Sequence, residues 1–399
     1  MPHQGIVTDR SLLMFTRSLR LFAYGALSVV LVFYLTRLGF STSQVGVLLT
    51  LTLVGDTVVS LVLTTRADRL GRRRVLIAGA VLMAVAGLLF ASTGNFVVLL
   101  IAGTLGVISP SGNEVGPFLP VEQASLAHVV QAAQRTAAFA WYTLAGAVAT
   151  AFGSLAGGGL SAAFHNDRVV VLLYAAIGVL LGLSFTRLSP DVEVAVAERT
   201  SVLGVGASRG IVLKLAGLFA LDAFAGGFVV QSFAAYWFYL RFGATPATLG
   251  AIFFGANVLA GISALLASRL AARFGLVRTM VFTHLPSNVL LILVPLMPTL
   301  PLAVAVLFAR FSISQMDVPT RQSYLMAVVR PAERSAAGGV TGVARTVGAA
   351  LAPVFAGLLF SRPALIGVPF FIAGALKIAY DLLLYRGFAK VQPPEERAV

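Results

Sequence analysis

Cysteine is absent from the 399 residues, so neither a disulfide framework nor a thiolate metal site is available. Charge is scarce too. Only 11% of residues are Asp, Glu, Lys or Arg, against about a quarter in a soluble domain. Acids are the rarer sign, 15 against 29 bases, and the net charge is +14. In a soluble chain such an excess points to nucleic acid. Here 58% of residues are hydrophobic and the mean hydropathy is +0.93, and basic loops held on one side of a membrane account for it instead. No nucleic-acid partner is expected. Zinc-ligand spacing, a phosphate-binding loop and a G-x-S-x-G elbow are all missing from the sequence. That argues against an enzyme, a metal, a cofactor or direct use of ATP. The N-terminus shows no short apolar core before a small-residue cleavage site, so no cleavable leader is expected.

What is present is long apolar runs. They fall near 12–36, 44–65, 75–93, 96–121, 136–160, 168–187, 211–240, 246–268, 279–298, 301–325, 336–360 and 365–385. Their lengths suit helices crossing a bilayer. The expected fold is an all-α polytopic membrane protein with twelve transmembrane helices. The arginines orient it. One set of loops carries Arg66, Arg69, Arg72, Arg73, Arg74, Arg135, Arg187, Arg269, Arg273, Arg278, Arg330 and Arg334; the other carries Arg37, Arg168, Arg241 and Arg362. The basic side is cytoplasmic, which puts both termini there.

The chain also repeats itself. Gly46 to Arg74 and Gly250 to Arg278 run in one gapless frame, offset by 204 positions. In that frame Arg37, Gly39, Arg69, Gly71 and Arg74 match Arg241, Gly243, Arg273, Gly275 and Arg278. Further on, Pro120, Gln123, Leu126, Val129 and Arg135 match Pro319, Gln322, Leu325, Val328 and Arg334 at an offset of 199. This is an internal duplication. It divides the chain into an N-terminal six-helix bundle (1–187), a cytoplasmic linker (188–209), a C-terminal six-helix bundle (210–386) and a cytoplasmic tail (387–399). The two bundles are expected to be related by a pseudo-twofold axis.

Two six-helix halves with T-R-A-D-R-L-G-R-R-R after the second segment resemble the major facilitator superfamily. Its loop signature, G-x-x-x-D-R-x-G-R-R-[RK], is met at Asp68, Arg69, Gly71, Arg72, Arg73 and Arg74; Thr64 stands at the first glycine. The fifth segment is partly similar to the proton-coupled drug antiporters of that superfamily. It has Gly153, Gly157 and Gly158, with Ser154 where they carry proline. The corresponding place in the eleventh segment reads Ala352, Pro353, Ala356 and Gly357. Gly103 or a neighbour stands where those antiporters carry an arginine in the fourth segment, while Arg310 occupies a comparable setting in the tenth. The resemblance implies a secondary transporter working by alternating access between a small-molecule substrate, the lipid bilayer and a proton or other ion. Efflux driven by protons is the first reading. Uptake or exchange of a polar or anionic metabolite, or a non-transport membrane sensor, are the alternatives. A monomer in the inner (plasma) membrane is expected.

Candidate residues follow. The resemblance makes Asp68, Arg69, Gly71, Arg72 and Arg73 a conformational latch, with Asp68 aimed at a neighbouring helix N-terminus, where partial positive charge gathers. A topology signal made of arginines alone is the plainer reading. The fourth segment crowds Pro110, Gly112, Gly116, Pro117 and Pro120 around Asn113, Glu114 and Glu122. Interrupted helices at membrane depth often build transport sites, so Asn113 and Glu114 are substrate or coupling candidates; a strained helix end is the alternative. Asp317 and Arg321 are four apart, acid first, the favourable order for a helical pair. Glu122 and Arg321 match between the repeats and are gate candidates. Arg20, Asp56, Asp222, Arg310 and Arg345 are charges at depth, which normally face a bundle interior. Tyr24 and Phe228 match at the 204 offset and could line a pocket. Lys377 and Asp381 read as a structural pair four apart, and His284 and Asn257 as polar packing residues. Counting Arg17 with them, buried acids and bases balance, which leaves the sign of the substrate open.

Overall fold

Inside a bilayer each backbone N–H and C=O must be satisfied by the chain itself, and an apolar run of this length achieves that as a helix. The computed structural model describes residues 2–65, 67–130, 135–193, 208–330, 333–389 and 391, with side chains left undescribed at a few of these, Asp68 and Arg69 among them. Its helices are α1 (Pro2–Arg37), α2 (Thr42–Thr65), α3 (Ala67–Leu70), α4 (Arg72–Ser92), α5 (Phe96–Leu105), α6 (Phe118–Val129), α7 (Arg135–Phe164), α8 (Arg168–Phe185), α9 (Arg209–Gly227), α10 (Gln231–Phe242), α11 (Pro246–Phe274), α12 (Leu276–Leu293), α13 (Leu300–Ser314), α14 (Asp317–Val328), α15 (Arg334–Phe360) and α16 (Val368–Phe388). No strand occurs among the described residues. The chain is an all-α polytopic fold.

Eleven stretches among the described residues are long and apolar enough to cross a membrane. Twelve continuous spans were expected, and the difference lies in the fourth. There α5 ends at Leu105 and α6 begins at Phe118, each too short to span alone. Proline removes backbone donors, and Gly112 and Gly116 take φ of 70° and 80°, a left-handed geometry that costs glycine little. The seventh and tenth segments also come in two pieces, α9 with α10 and α13 with α14. Pro319 lies in the first turn of α14, where its missing N–H costs nothing.

The repeated glycines have a backbone reason. Gly39 and Gly243 end α1 and α10 at φ of 94° and 66°; Gly71 and Gly275 sit at the α3–α4 and α11–α12 junctions at 94° and 84°. In each pair both copies need the same left-handed turn. Helix starts are capped locally. Gln44 Oε1 accepts the Ser41 N–H at 2.9 Å while Ser41 Oγ accepts the Gln44 N–H at 3.2 Å, a reciprocal capping box. Asn95 Oδ1 takes the Val97 and Val98 N–H groups at 3.0 and 3.2 Å.

Contacts group the chain into two compact units, Met1–Ala197 with Gln231–Phe254, and Glu198–Val230 with Gly255–Val399. In the first, α1 packs most extensively on α7. A Cβ at Gly153 or Gly157 would strike the carbonyls of Phe22 or Ala26, so these two glycines let the helix backbones approach closely. In the second, α9 packs against α15, and Gly348 lies against the Ala220 carbonyl in the same manner. Its apolar core joins Val212, Leu215 and Phe219 of α9 to Met280, Tyr324, Tyr380 and Leu384. Polarity is inverted relative to a soluble protein. Phe152, Phe164, Leu183, Leu265 and Phe282 are exposed while Arg20, Glu122, Asp222, Arg321 and Asp381 are buried, as lipid-facing surfaces and polar interiors require.

Candidate functional site

The site in the first unit grows from the break between α5 and α6. Residues 107–116 lie between the two helices, and several of their backbone groups find side chains instead. Asp56 on α2 accepts the Gly116 N–H at 2.5 Å. Tyr24 of α1 donates to the Val115 carbonyl at 3.2 Å, Tyr174 of α8 to that of Val107, and Ser109 to that of Asn113 at 2.7 Å. The Pro110 carbonyl accepts both the N–H and the hydroxyl of Ser232, at 3.1 and 2.5 Å. Asp56 and Tyr24 are therefore fixed by the broken segment rather than pointed into open space. Asn113 is exposed.

This bracing holds Glu114 against α1. Arg17 donates to one Glu114 oxygen, and Arg20 reaches both through Nη2 and Nε at 3.2 Å. Arg20 also makes a bidentate pair with Glu122 of α6, 2.8 Å at each oxygen, the strongest form of such contact. Thr16 at 3.0 Å and the Tyr142 hydroxyl complete Glu122. Arg17 lies over the Tyr142 ring at 4.1 Å and Arg20 over Phe118 at 4.6 Å, each a cation–π contact. Burial separates the two acids. The side chains of Arg20 and Glu122 are 0% exposed, that of Glu114 15%. Glu114 is the more exposed of the two acids.

The second unit holds its own network. Asp222 of α9 accepts Lys377 Nζ of α16 at 2.5 Å and Arg321 Nη1 of α14 at 3.1 Å. Arg321 pairs also with Asp317 at 3.2 Å, one turn away. The two gate candidates are thus each paired within their own unit, Glu122 with Arg20 and Arg321 with Asp222 and Asp317. Lys377 and Asp381 do not pair with each other, contrary to their spacing: Asp381 instead contacts His284 at 2.8 Å and Asn288 at 2.9 Å. Asp222 stands one helix away from Lys377 and offers it a partner in a desolvated place. His284, taken as packing, also lies 3.8 Å from Asp222. Phe228 lines an apolar cavity of about 380 Å³ with Phe224, Phe355 and Leu359. Arg310 lies over the Phe311 ring at 4.9 Å; the Nε atoms of Arg310 and Arg345, like that of Arg17, are buried with no hydrogen-bond partner among the described residues.

At the predicted latch, Gly71 makes the left-handed turn into α4, and Glu193 accepts the N–H groups of Arg72 and Arg73 at 2.7 and 3.1 Å. An anion there satisfies the free donors and the dipole of a helix start. Arg72 reaches the Val192 carbonyl at 3.3 Å and Arg73 that of Thr186 at 2.5 Å. The side chains of Asp68 and Arg69 lie outside those described. Arg17, Tyr142, Lys377 and His284 are members that sequence reasoning undervalued. Arg17 carried a signal, since it lies one turn from Arg20 on the same helix face.

A profile of the Major Facilitator Superfamily matches residues 13–240. The chain belongs to this superfamily. It is 30% identical over 417 aligned residues to the uncharacterised membrane protein YJR124C of Saccharomyces cerevisiae, covering 94% of this chain and 93% of that one. Among solved structures, a bacterial homologue of the human lysosomal transporter Spinster superposes with a TM-score of 0.71 at 15% identity, covering 96% of both chains. The nucleoside transporter NupG does so at 0.76 and 14%, covering 95% of this chain and 99% of that one. These two likenesses are of fold. Membership of the superfamily, together with the membrane-length helices, makes the chain a multi-pass membrane transporter and not an enzyme.

Proposed function

We propose that the chain is a secondary transporter that moves a small solute by alternating access, coupled to protons and working in the direction of export. The observation that carries proton coupling is Glu114: the more exposed carboxylate of its cluster, held on a broken helix between Arg17 and Arg20. Protonation removes its charge and loosens two guanidinium contacts at once, while sealed Glu122 keeps Arg20 in place. A proton is thereby converted into a rearrangement between α1 and the α5–α6 break, the kind of interrupted element on which transporters build their sites. Support for export comes from the partial antiporter pattern in α7, whose Gly153 and Gly157 face the α1 backbone. The loop around Gly71 acts as latch, with Glu193 fixing its helix start, and both termini are assigned to the cytoplasm.

The test is solute flux in proteoliposomes with and without an imposed pH gradient. Glu114→Gln keeps the shape and hydrogen-bonding capacity but cannot cycle a proton. The expected result is loss of gradient-driven flux with solute exchange across the membrane retained. Gradient dependence unchanged in that variant would remove proton coupling through Glu114.

A further inference from the structure

Asp381 of α16 is 0% exposed, and no lysine or arginine pairs with it among the described residues. Its two oxygens meet His284 Nδ1 of α12 at 2.8 Å and Asn288 Nδ2 at 2.9 Å. An ionised carboxylate only accepts, so a proton lies between Nδ1 and Asp381. The other ring nitrogen, Nε2, faces Asp222 of α9 at 3.8 Å. That distance is within ion-pair reach and too long for a hydrogen bond. His284 is buried, and the Tyr380 ring of α16 stands edge-on to it with centroids 5.9 Å apart. The other charges of the surrounding helices are engaged elsewhere. Lys377 of α16 and Arg321 of α14 pair with Asp222, and Arg321 also with Asp317. Arg310 of α13 lies over the Phe311 ring, and Arg278, at the start of α12, is exposed. Among the described residues, His284 is thus the basic group placed between two buried acids on two other helices.

We infer that His284, Asp381 and Asp222 form a second proton-binding site, separate from Glu114, in which the imidazole is the group that loads. The proton enters at Nε2. Unloaded, that nitrogen turns a lone pair toward the Asp222 carboxylate. Loaded, it turns an N–H and a positive charge toward Asp222 while Nδ1–H holds Asp381. A buried carboxylate without an opposite charge is costly, and the loaded ring supplies that charge to Asp381. Imidazole suits the task because it changes charge near neutral pH, and its two nitrogens address two partners at once. Lys377 and Arg321 hold Asp222 in position to meet the ring. Loading closes the 3.8 Å gap and ties α9, α12 and α16 through one side chain. The site depends neither on the direction of transport nor on Glu114.

Nitrogen NMR of the full-length protein, isotope-labelled at histidine and held in phosphatidylcholine nanodiscs, tests it. The chain has four histidines. Replacing His3, His128 and His165 by glutamine leaves His284 as the sole imidazole signal, and His284→Gln in the wild-type background confirms the assignment by the signal it removes. At low pH both ring nitrogens should carry a proton. As pH rises Nε2 should lose its proton while Nδ1 keeps its own, because Asp381 holds it there. Asp381→Asn retains an oxygen acceptor but removes the charge, and should weaken proton binding to His284 by about tenfold or more. Asp222→Asn should weaken it in the same direction by less, since Asp222 is shared with Lys377 and Arg321. The inference is overturned if His284 keeps one protonation state across the pH range in which the protein stays folded. It is overturned equally if the unloaded ring carries its proton on Nε2, or if Asp381→Asn, eluting as a single folded peak, leaves the midpoint unchanged. Glu114→Gln should not move this titration, so proton coupling at Glu114, read from flux, stands or falls separately.

Discussion

In the first unit Arg17 and Arg20 are ion-paired, whereas in the second Arg310 and Arg345 make no ion pair among the described residues. Around Glu114 and Glu122, two arginines meet two carboxylates, and aromatic rings of Tyr142 and Phe118 cover what remains. Around Asp222, Lys377 and Arg321 hold the carboxylate and Arg321 also meets Asp317, while the half-buried Arg310 and Arg345 make no ion pair among the described residues. The duplication preserved backbone turns and helix packing, where geometry is demanding, and let the polar interior diverge.

The comparison can be broken most forcefully at Arg20. Arg20→Met strands Glu122 and half of Glu114 in a desolvated place, and breaking a buried pair in this way costs about 3–5 kcal/mol. Thermal unfolding in detergent should show a large drop, and a stability close to wild type would mean that the first cluster is not closed. In the second unit, Asp222→Asn keeps an oxygen acceptor but frees a charge on both Lys377 and Arg321. We expect a loss of about 1–3 kcal/mol, read by the same melt, together with strongly reduced transport. Arg345→Met sharpens the contrast from the other side. Removing a half-buried cation that makes no ion pair among the described residues should change stability by less than about 1 kcal/mol or raise it. An arginine substitution would thus be severe in one unit and mild in the other, and equal losses at Arg20 and Arg345 would erase the distinction between them.

Several of these features were legible in the sequence because they obey short-range rules. The matched glycines announced left-handed turns, and Gly39, Gly71, Gly243 and Gly275 all adopt them. Prolines and glycines in the fourth segment announced a break, and α5 and α6 are separate. The Asp317–Arg321 spacing announced a contact found at 3.2 Å. The same rule failed at Lys377 and Asp381. Spacing along a helix lists neighbours but does not rank them against a partner on another helix, and Asp222 is the stronger competitor. His284 read as a polar packing residue, and its contact with Asp381 agrees with that; which acid it meets was not legible, because a single histidine in an apolar run carries no pattern. Tyr142 had no sequence signal at all, because its hydroxyl matters only where α7 brings it to Glu122.

The sequence by itself determined that this chain lives in a membrane, is helical, arose by duplication and carries charge at depth. These follow from hydropathy, helical length and local backbone chemistry, which each residue expresses with its near neighbours. Only the tertiary structure decided which buried charges are spent on each other and which are spare. That depends on how α1 meets the α5–α6 break, and on how α9, α14 and α16 converge. Pairing energy at such sites is set by distances of a few ångströms between residues about a hundred positions or more apart in the chain, in surroundings where water cannot screen a mismatch.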